Sequence, residues 1–458
     1  MAKLNWRIIF LTAAVGVALL EMSLLGFVYP NLAPVFFFLT AAVFFALSCW
    51  RLEYGLVALL AELFIGVHGY LLSWQGLSVR LALFLIYLVI AVWRLFPERA
   101  QIWQIFRQHR RLMVSWLLFS LWVGVAGLWG LSENLSSHVF FDINAYFFLA
   151  LFPIIFYLSK SGRFPKQLVW NVLLGSVLVL AGHALGTFWL FSRQGFYPAA
   201  IFVYRWLRGD RLLEVTSLPA GFWRIFGQSY LYVLLAFFLL AKAWLEKLLS
   251  WRAAWLFFSA AAFILLVALS RSFWVGLAAG GTVFIYETWR SIFSQRQIWA
   301  LLGLVVLGIG TAWGLASLVA YPVTSVATER VVKLEGEPAF NSRTNQLLPL
   351  WQGLKKHPLV GSGFGTSLSY ISADPRHPGS YTTFAFEWGY LDMLLKFGLI
   401  GLALFGWWIW LLWQVSAKNY FGSLPILAAL LAIHMFSPYL NHPLGLGYLY
   451  LWALWPYE

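Results

Sequence analysis

The stretch ALSRSFWVG, Ala268–Gly276, sets Arg271 between two apolar runs. A guanidinium at the centre of a membrane helix costs about 2.5–3.5 kcal/mol. Reading the runs as separate helices moves Arg271 into a turn of two or three residues, where it faces a cavity. A second stretch, Asn341–Gly365, reads NSRTNQLLPLWQGLKKHPLVGSGFG. Within it Leu347, Leu350, Trp351 and Leu354 fall at helical spacing, so Thr344–Lys355 reads as an amphipathic helix on the membrane surface. His357-Pro358 ends that helix. Gly361, Gly363 and Gly365 then permit a tight turn, which reads as plain loop geometry or, as the alternative, as an anion-binding nest of backbone N–H groups. Asp392 and Lys396 lie four apart and read as an ion pair that lowers the cost of burying both.

Metal chemistry is not expected. No Asp-x-Asp occurs, Glu335 and Glu337 make a weak site, and the lone cysteine, Cys49, allows neither an intramolecular disulfide nor a cysteine-based site.

The elements that must position these groups are helices in a bilayer. The 458 residues are 62% hydrophobic and 10% charged, too little polar surface to cover a soluble fold of that length. The expected spans are 8–28, 33–50, 54–72, 77–93, 112–131, 143–159, 168–191, 229–248, 254–270, 273–289, 298–320, 386–412 and 423–440. A tail over 445–455 adds a half or full crossing, for about thirteen or fourteen helices in all. The first span reads as a retained helix, because no small-residue cleavage site follows it. Residues 1–458 read as one transmembrane domain with two large loops, 192–228 and 321–385.

Lys3, Arg7, the Arg94–Arg111 cluster, Lys160, Arg163, Lys166, Lys242, Lys247, Arg252, Arg290 and Arg296 all map to one side. The short loops opposite hold no Lys or Arg. The positive-inside rule therefore places the N-terminus in the cytoplasm. Both large loops then lie outside, with Arg205, Arg208, Arg211, Arg224, Arg330, Arg343 and Arg376. The formal charge of +14 reads as topology signal plus contact with anionic lipids, with no nucleic-acid partner.

Three motifs occur in order: LSRSFWVGLAAG (Leu269–Gly280), SRTNQLLPLWQGLKKHPLVGSGFG (Ser342–Gly365) and EWGYLDMLLKFGLIG (Glu387–Gly401). WRIFGQSYLYVLLAFF (Trp223–Phe238) precedes them. Over 222–405 the chain resembles the bacterial O-antigen ligase and O-antigen polymerase superfamily. The resemblance implies an all-α, GT-C-like membrane glycosyltransferase that takes glycan from an undecaprenyl-pyrophosphate-linked oligosaccharide at the periplasmic face of the inner membrane. It implies an inverting reaction with neither metal nor cofactor. The acceptor is lipid A-core for a ligase and a lipid-linked glycan for a polymerase, which can work with a chain-length regulator.

Carried over by motif, Arg271 and Arg343 are the first phosphate-binding pair and Arg224 the third. Guanidinium forks suit a pyrophosphate leaving group, binding its oxygens bidentately and stabilising charge as the C–O bond breaks. Where the ligase pattern has a histidine, eleven residues before Gly398, this chain has Glu387. It is the expected general base, with His377 as the alternative. Tyr381, Phe384, Phe386, Trp388 and Tyr390 read equally as sugar-stacking groups or an interfacial belt. The missing histidine favours a polymerase. A ligase, acting on lipid A-core or a protein, is the alternative, and a transporter of polyprenyl-linked glycan is the second.

Overall fold

The computed structural model describes residues 4–192, 197–210, 212–218, 221–291, 293–319, 338–373, 377–417 and 421–454. Its first helices are α1 (Trp6–Val28), α2 (Ala33–Trp50), α3 (Leu52–Ile65), α4 (Val79–Leu95), α5 (Arg99–Gln108), α6 (Arg110–Glu133), α7 (Ser136–Ile143), α8 (Leu151–Lys160) and α9 (Lys166–Ser192). Then come α10 (Tyr197–Gly209), α11 (Leu231–Leu245), α12 (Trp251–Ala268), α13 (Arg271–Trp289) and α14 (Gln295–Val319). The last are α15 (Pro338–Lys356), α16 (Gly389–Leu412), α17 (Ser423–Phe436) and α18 (Pro443–Leu454). Short polar side chains start several of them. Asn5 accepts from the Arg7 and Ile8 amides, Ser78 from Leu81 and Ser250 from Ala253.

Among the described residues, ten helical segments are long and apolar enough to cross a membrane. This is an all-α, multi-pass membrane protein. The other expected spans are helices too, α3, α13, α17 and α18, but shorter or less apolar. The expected span 54–72 stops at Ile65. Gly66 closes onto the Glu62 carbonyl at 2.6 Å, and the chain turns into the small hairpin β1 (Ser73–Trp74) and β2 (Leu77–Ser78). Just there, Arg80 at the start of α4 meets Glu62 of α3 at 2.7 Å, with both side chains buried.

Helix α13 lies along α17, α12 along α14, α1 along α9, and α16 along α6. The α13–α17 approach is close: a Cβ on Gly276 would stand 2.4 Å from Ile433. Helices α1, α2 and α14 turn Phe10, Phe38, Phe45, Val306 and Leu318 outward. In hydrocarbon such an apolar face is at home.

Two antiparallel hairpins complete the end of the bundle where α12 turns into α13. One pairs β3 (Glu214–Ser217) with β4 (Trp223–Phe226), setting Thr216 opposite Arg224. The other pairs β5 (Leu368–Ser372) with β6 (Gly379–Thr383), setting Tyr370 opposite Tyr381. The expected amphipathic helix at 344–355 is α15, which is longer at its N-terminus.

Helix α16 is broken. Gly398 has φ 66° and ψ −173°, a conformation open to glycine and not to L side chains. The freed backbone groups are taken up by the loop after α15. Ser362 and Gly363 donate to the Leu395 and Lys396 carbonyls at 2.7 and 3.0 Å. Leu399 and Ile400 donate to the Pro358 and Leu359 carbonyls at 3.0 and 3.1 Å. Irregular backbone at membrane depth is tolerable when protein satisfies it in this way.

Candidate functional site

The turn from α12 to α13 fixes Arg271. Leu269 caps α12 in the left-handed region (φ 41°, ψ 39°), Ser270 is extended, and Arg271 is the first residue of α13. Ser272 anchors the turn, 3.0 Å from the Ser270 hydroxyl and accepting from Ser437, after α17, at 3.1 Å. Arg271 sits at the helix mouth, as the sequence suggests.

Arg224 reaches the same place from β4. Its Nε–H donates to the Ala268 carbonyl, the free end of α12, at 2.9 Å. Its Nη1 lies 3.5 Å from Glu214 across the hairpin, and the guanidinium lies over the Phe226 ring. Burial pulls the Arg224 pKa below the usual arginine value, Glu214 opposes that and Arg343 adds to it. An arginine stays protonated regardless.

Arg343 arrives on α15 and ion-pairs with Glu387, just ahead of α16. Two further bonds hold these segments together. The Trp388 indole N–H donates to the Arg343 carbonyl at 2.9 Å, and the Glu387 amide donates to Gln346 Oε1 at 3.3 Å.

Arg224, Arg271, Arg343, Glu387 and His377 all line one cavity of about 640 Å³. The candidate bases and the candidate phosphate-binding arginines thus reach one space, from five separate places in the chain. His377 is exposed, stacked on Tyr381 at 4.6 Å between ring centroids. Arg205 and Arg208 are on α10 and do not line the cavity. Arg211, Arg330, Arg376, Glu335 and Glu337 lie outside the described residues. Of the aromatic set, Tyr381, Phe384 and Phe386 line the cavity. Trp388 and Tyr390 do not; the Tyr390 hydroxyl donates to the Leu431 carbonyl at 3.0 Å. Among the described residues, no group of His, Cys, Asp and Glu side chains is arranged to hold a metal ion.

A buried polar cluster lines the cavity as well. Asp392 and Lys396 pair at 2.7 Å, as their spacing predicts. Sequence reading misses the third member, Asp142 on α7, which also engages Lys396. The available signal was a lone aspartate inside the apolar run FFDINAYFF, since an intramembrane acid marks a site by default. Asn441, between α17 and α18, donates to Asp392 and accepts from the Tyr146 hydroxyl at 3.2 Å.

Of the two readings of the glycine turn, plain loop geometry and an anion nest, the geometry supports the first. Gly361, Gly363 and Gly365 do have positive φ. Their amides, however, are committed to the His357 carbonyl at 2.9 Å, the Lys396 carbonyl at 3.0 Å and Asp142 Oδ2 at 2.8 Å. An amide donor already spent on the fold is not offered to an anion. The turn is the joint between the loop and the broken helix.

The architecture is therefore a multi-pass helical membrane protein with three guanidinium groups gathered in a cavity at one end. Residues 253–406, about a third of the chain, match the family described as O-antigen ligase, which supports a place in the O-antigen ligase and polymerase superfamily. That family is one of membrane glycosyltransferases. The matched segment contains Arg271, Arg343 and Glu387; Arg224, Asp142 and Asn441 lie outside it. No curated protein and no solved structure matches the chain.

Proposed function

We propose that this protein is an inner-membrane glycosyltransferase that takes glycan from an undecaprenyl-pyrophosphate donor, and that it polymerises lipid-linked repeat units at the periplasmic face. The convergence of Arg224, Arg271 and Arg343 on one cavity carries this reading. A pyrophosphate needs several cations, and guanidinium groups keep their charge in a partly dry site. The one-sided Lys and Arg pattern of the short loops supports a cavity facing away from the cytoplasm.

In the proposed step an acceptor hydroxyl attacks the anomeric carbon of the donor sugar. The new C–O bond forms as the bond from that carbon to the phosphate oxygen breaks, inverting the centre. The electron pair leaves on the pyrophosphate, where the three arginines stabilise it. The hydroxyl proton passes to Glu387, which Arg343 holds in place.

The family description, O-antigen ligase, favours a second reading, transfer to lipid A-core. One experiment separates them. The purified protein is placed in liposomes with a single undecaprenyl-pyrophosphate oligosaccharide. A ladder of lengthening products is expected of a polymerase. Transfer only after lipid A-core is added makes it a ligase, and no transfer to any acceptor overturns both.

A further inference from the structure

The cavity is lined by two chemically unlike groups. Arg224, Arg271 and Arg343 supply donors and positive charge. The second group runs continuously from Gln228 to Asp392: the Tyr439 hydroxyl donates to the Gln228 carbonyl at 3.3 Å, and Asn441, two residues on, donates to Asp392. This second group has acceptors to spare. Asp392 is only 2% exposed. Its Oδ2 accepts from Lys396 at 2.8 Å and from Asn441. Its Oδ1 also contacts that ammonium, at 2.7 Å, and with this one partner keeps a lone pair for a further donor. The buried Gln228 Oε1 receives no hydrogen bond from any described residue. With Asp142 present, two carboxylates share one ammonium.

A buried acceptor without a donor, as at Gln228 Oε1, is costly, and native proteins rarely keep one without a use. In the cavity such acceptors are completed by O–H donors, water when no ligand is bound and the hydroxyls of a ligand when one is. With one ammonium for two carboxylates, this part favours a pyrophosphate less than the arginine side does. We infer that Gln228, Asp392 and Asn441 form the seat of the acceptor sugar, with Asp392 and Gln228 accepting from its hydroxyls. The mixed lining orients the reactants: diphosphate towards the arginines, hydroxyl-bearing sugar towards the carboxylate and amides. This rests on the glycosyltransferase reading and assigns these residues a positioning role, with the proton still passing to Glu387.

The test uses the full chain in liposomes, undecaprenyl-pyrophosphate oligosaccharide as donor, and two acceptor arms, a lipid-linked repeat unit and lipid A-core. Gln228→Leu should raise the KM for the active acceptor about tenfold, the worth of one hydrogen bond, while donor Kd and melting temperature hold. Gln228→Glu, which keeps an acceptor at that point, should restore the KM. Asp392→Asn should raise the acceptor KM in the same way; it leaves Lys396 paired with Asp142. An unchanged acceptor KM in Gln228→Leu, or a rise in donor Kd instead, overturns the inference and leaves the glycosyltransferase reading standing. A wild-type protein that does not bind the donor overturns both.

Discussion

The Arg224 guanidinium donates to the Ala268 carbonyl at 2.9 Å, three residues before Arg271 in the chain. One candidate phosphate ligand therefore closes the helix whose end positions the other. Arg224→Ala should cost about 1.5–3 kcal/mol, the range for a hydrogen bond to a charged group. A lowered thermal midpoint in detergent, together with weaker donor binding, is the expected result. Unchanged stability would mean that the α12 terminus is held by other contacts.

Arg271→Lys keeps the charge and loses the planar fork. Transfer should fall about 10–100-fold, with the melting temperature preserved. Steady-state turnover with lipid-linked donor checks this. Wild-type turnover in a folded Arg271→Lys protein removes Arg271 from the donor site.

Glu387→Gln retains shape and hydrogen bonding but not basicity. Turnover should drop at least about 100-fold while donor affinity holds. Loss of the Arg343 pair at a half-exposed carboxylate should change stability little. A full transfer rate in this variant would move the base elsewhere, and His377→Ala is then the next comparison.

Lys396 is 2% exposed and engages both Asp142 and Asp392. Lys396→Met leaves two buried carboxylates without their cation and should cost about 3–5 kcal/mol. Adding Asp142→Asn and Asp392→Asn should recover much of that loss. Thermal midpoints of the single and triple variants decide it. A single variant as stable as wild type would mean that the carboxylates are already neutral.

Gly398→Ala tests the break in α16. The backbone conformation alone should cost roughly 1–3 kcal/mol. The added Cβ would also stand 2.2 Å from the Leu359 carbonyl oxygen. The expected outcome is a sharp fall in folded, monodisperse protein by size-exclusion chromatography.

The helices were legible in the sequence because a bilayer needs about twenty apolar residues per crossing, and that pattern is written locally. The Asp392–Lys396 pair was legible for the same reason, being one helical turn apart. Asp142 was not, since its partner lies 254 residues away and only packing brings them together. The glycines of Gly361–Gly365 announced a turn correctly but not its purpose. Whether a turn's amides face a ligand or another piece of backbone depends on what is folded against them, and here that is the break at Gly398. The third helix was read too long because the apolar pattern continues past Ile65, whereas Gly66 and Gly69 reverse the chain.

The joint between the Pro358–Gly365 loop and the break at Gly398 carries a practical rule for hybrid proteins. Its hydrogen bonds run backbone to backbone in both directions, so they are indifferent to side chains but strict about register. A segment swapped from a relative on only one side of the joint would keep its sequence motif and lose its mate. Residues 357–401 are best exchanged between relatives as one cassette, which keeps both sides of the joint together; Arg343, Asn441 and Asp142, the partners of Glu387, Asp392 and Lys396, lie outside it and must match the donor of the cassette.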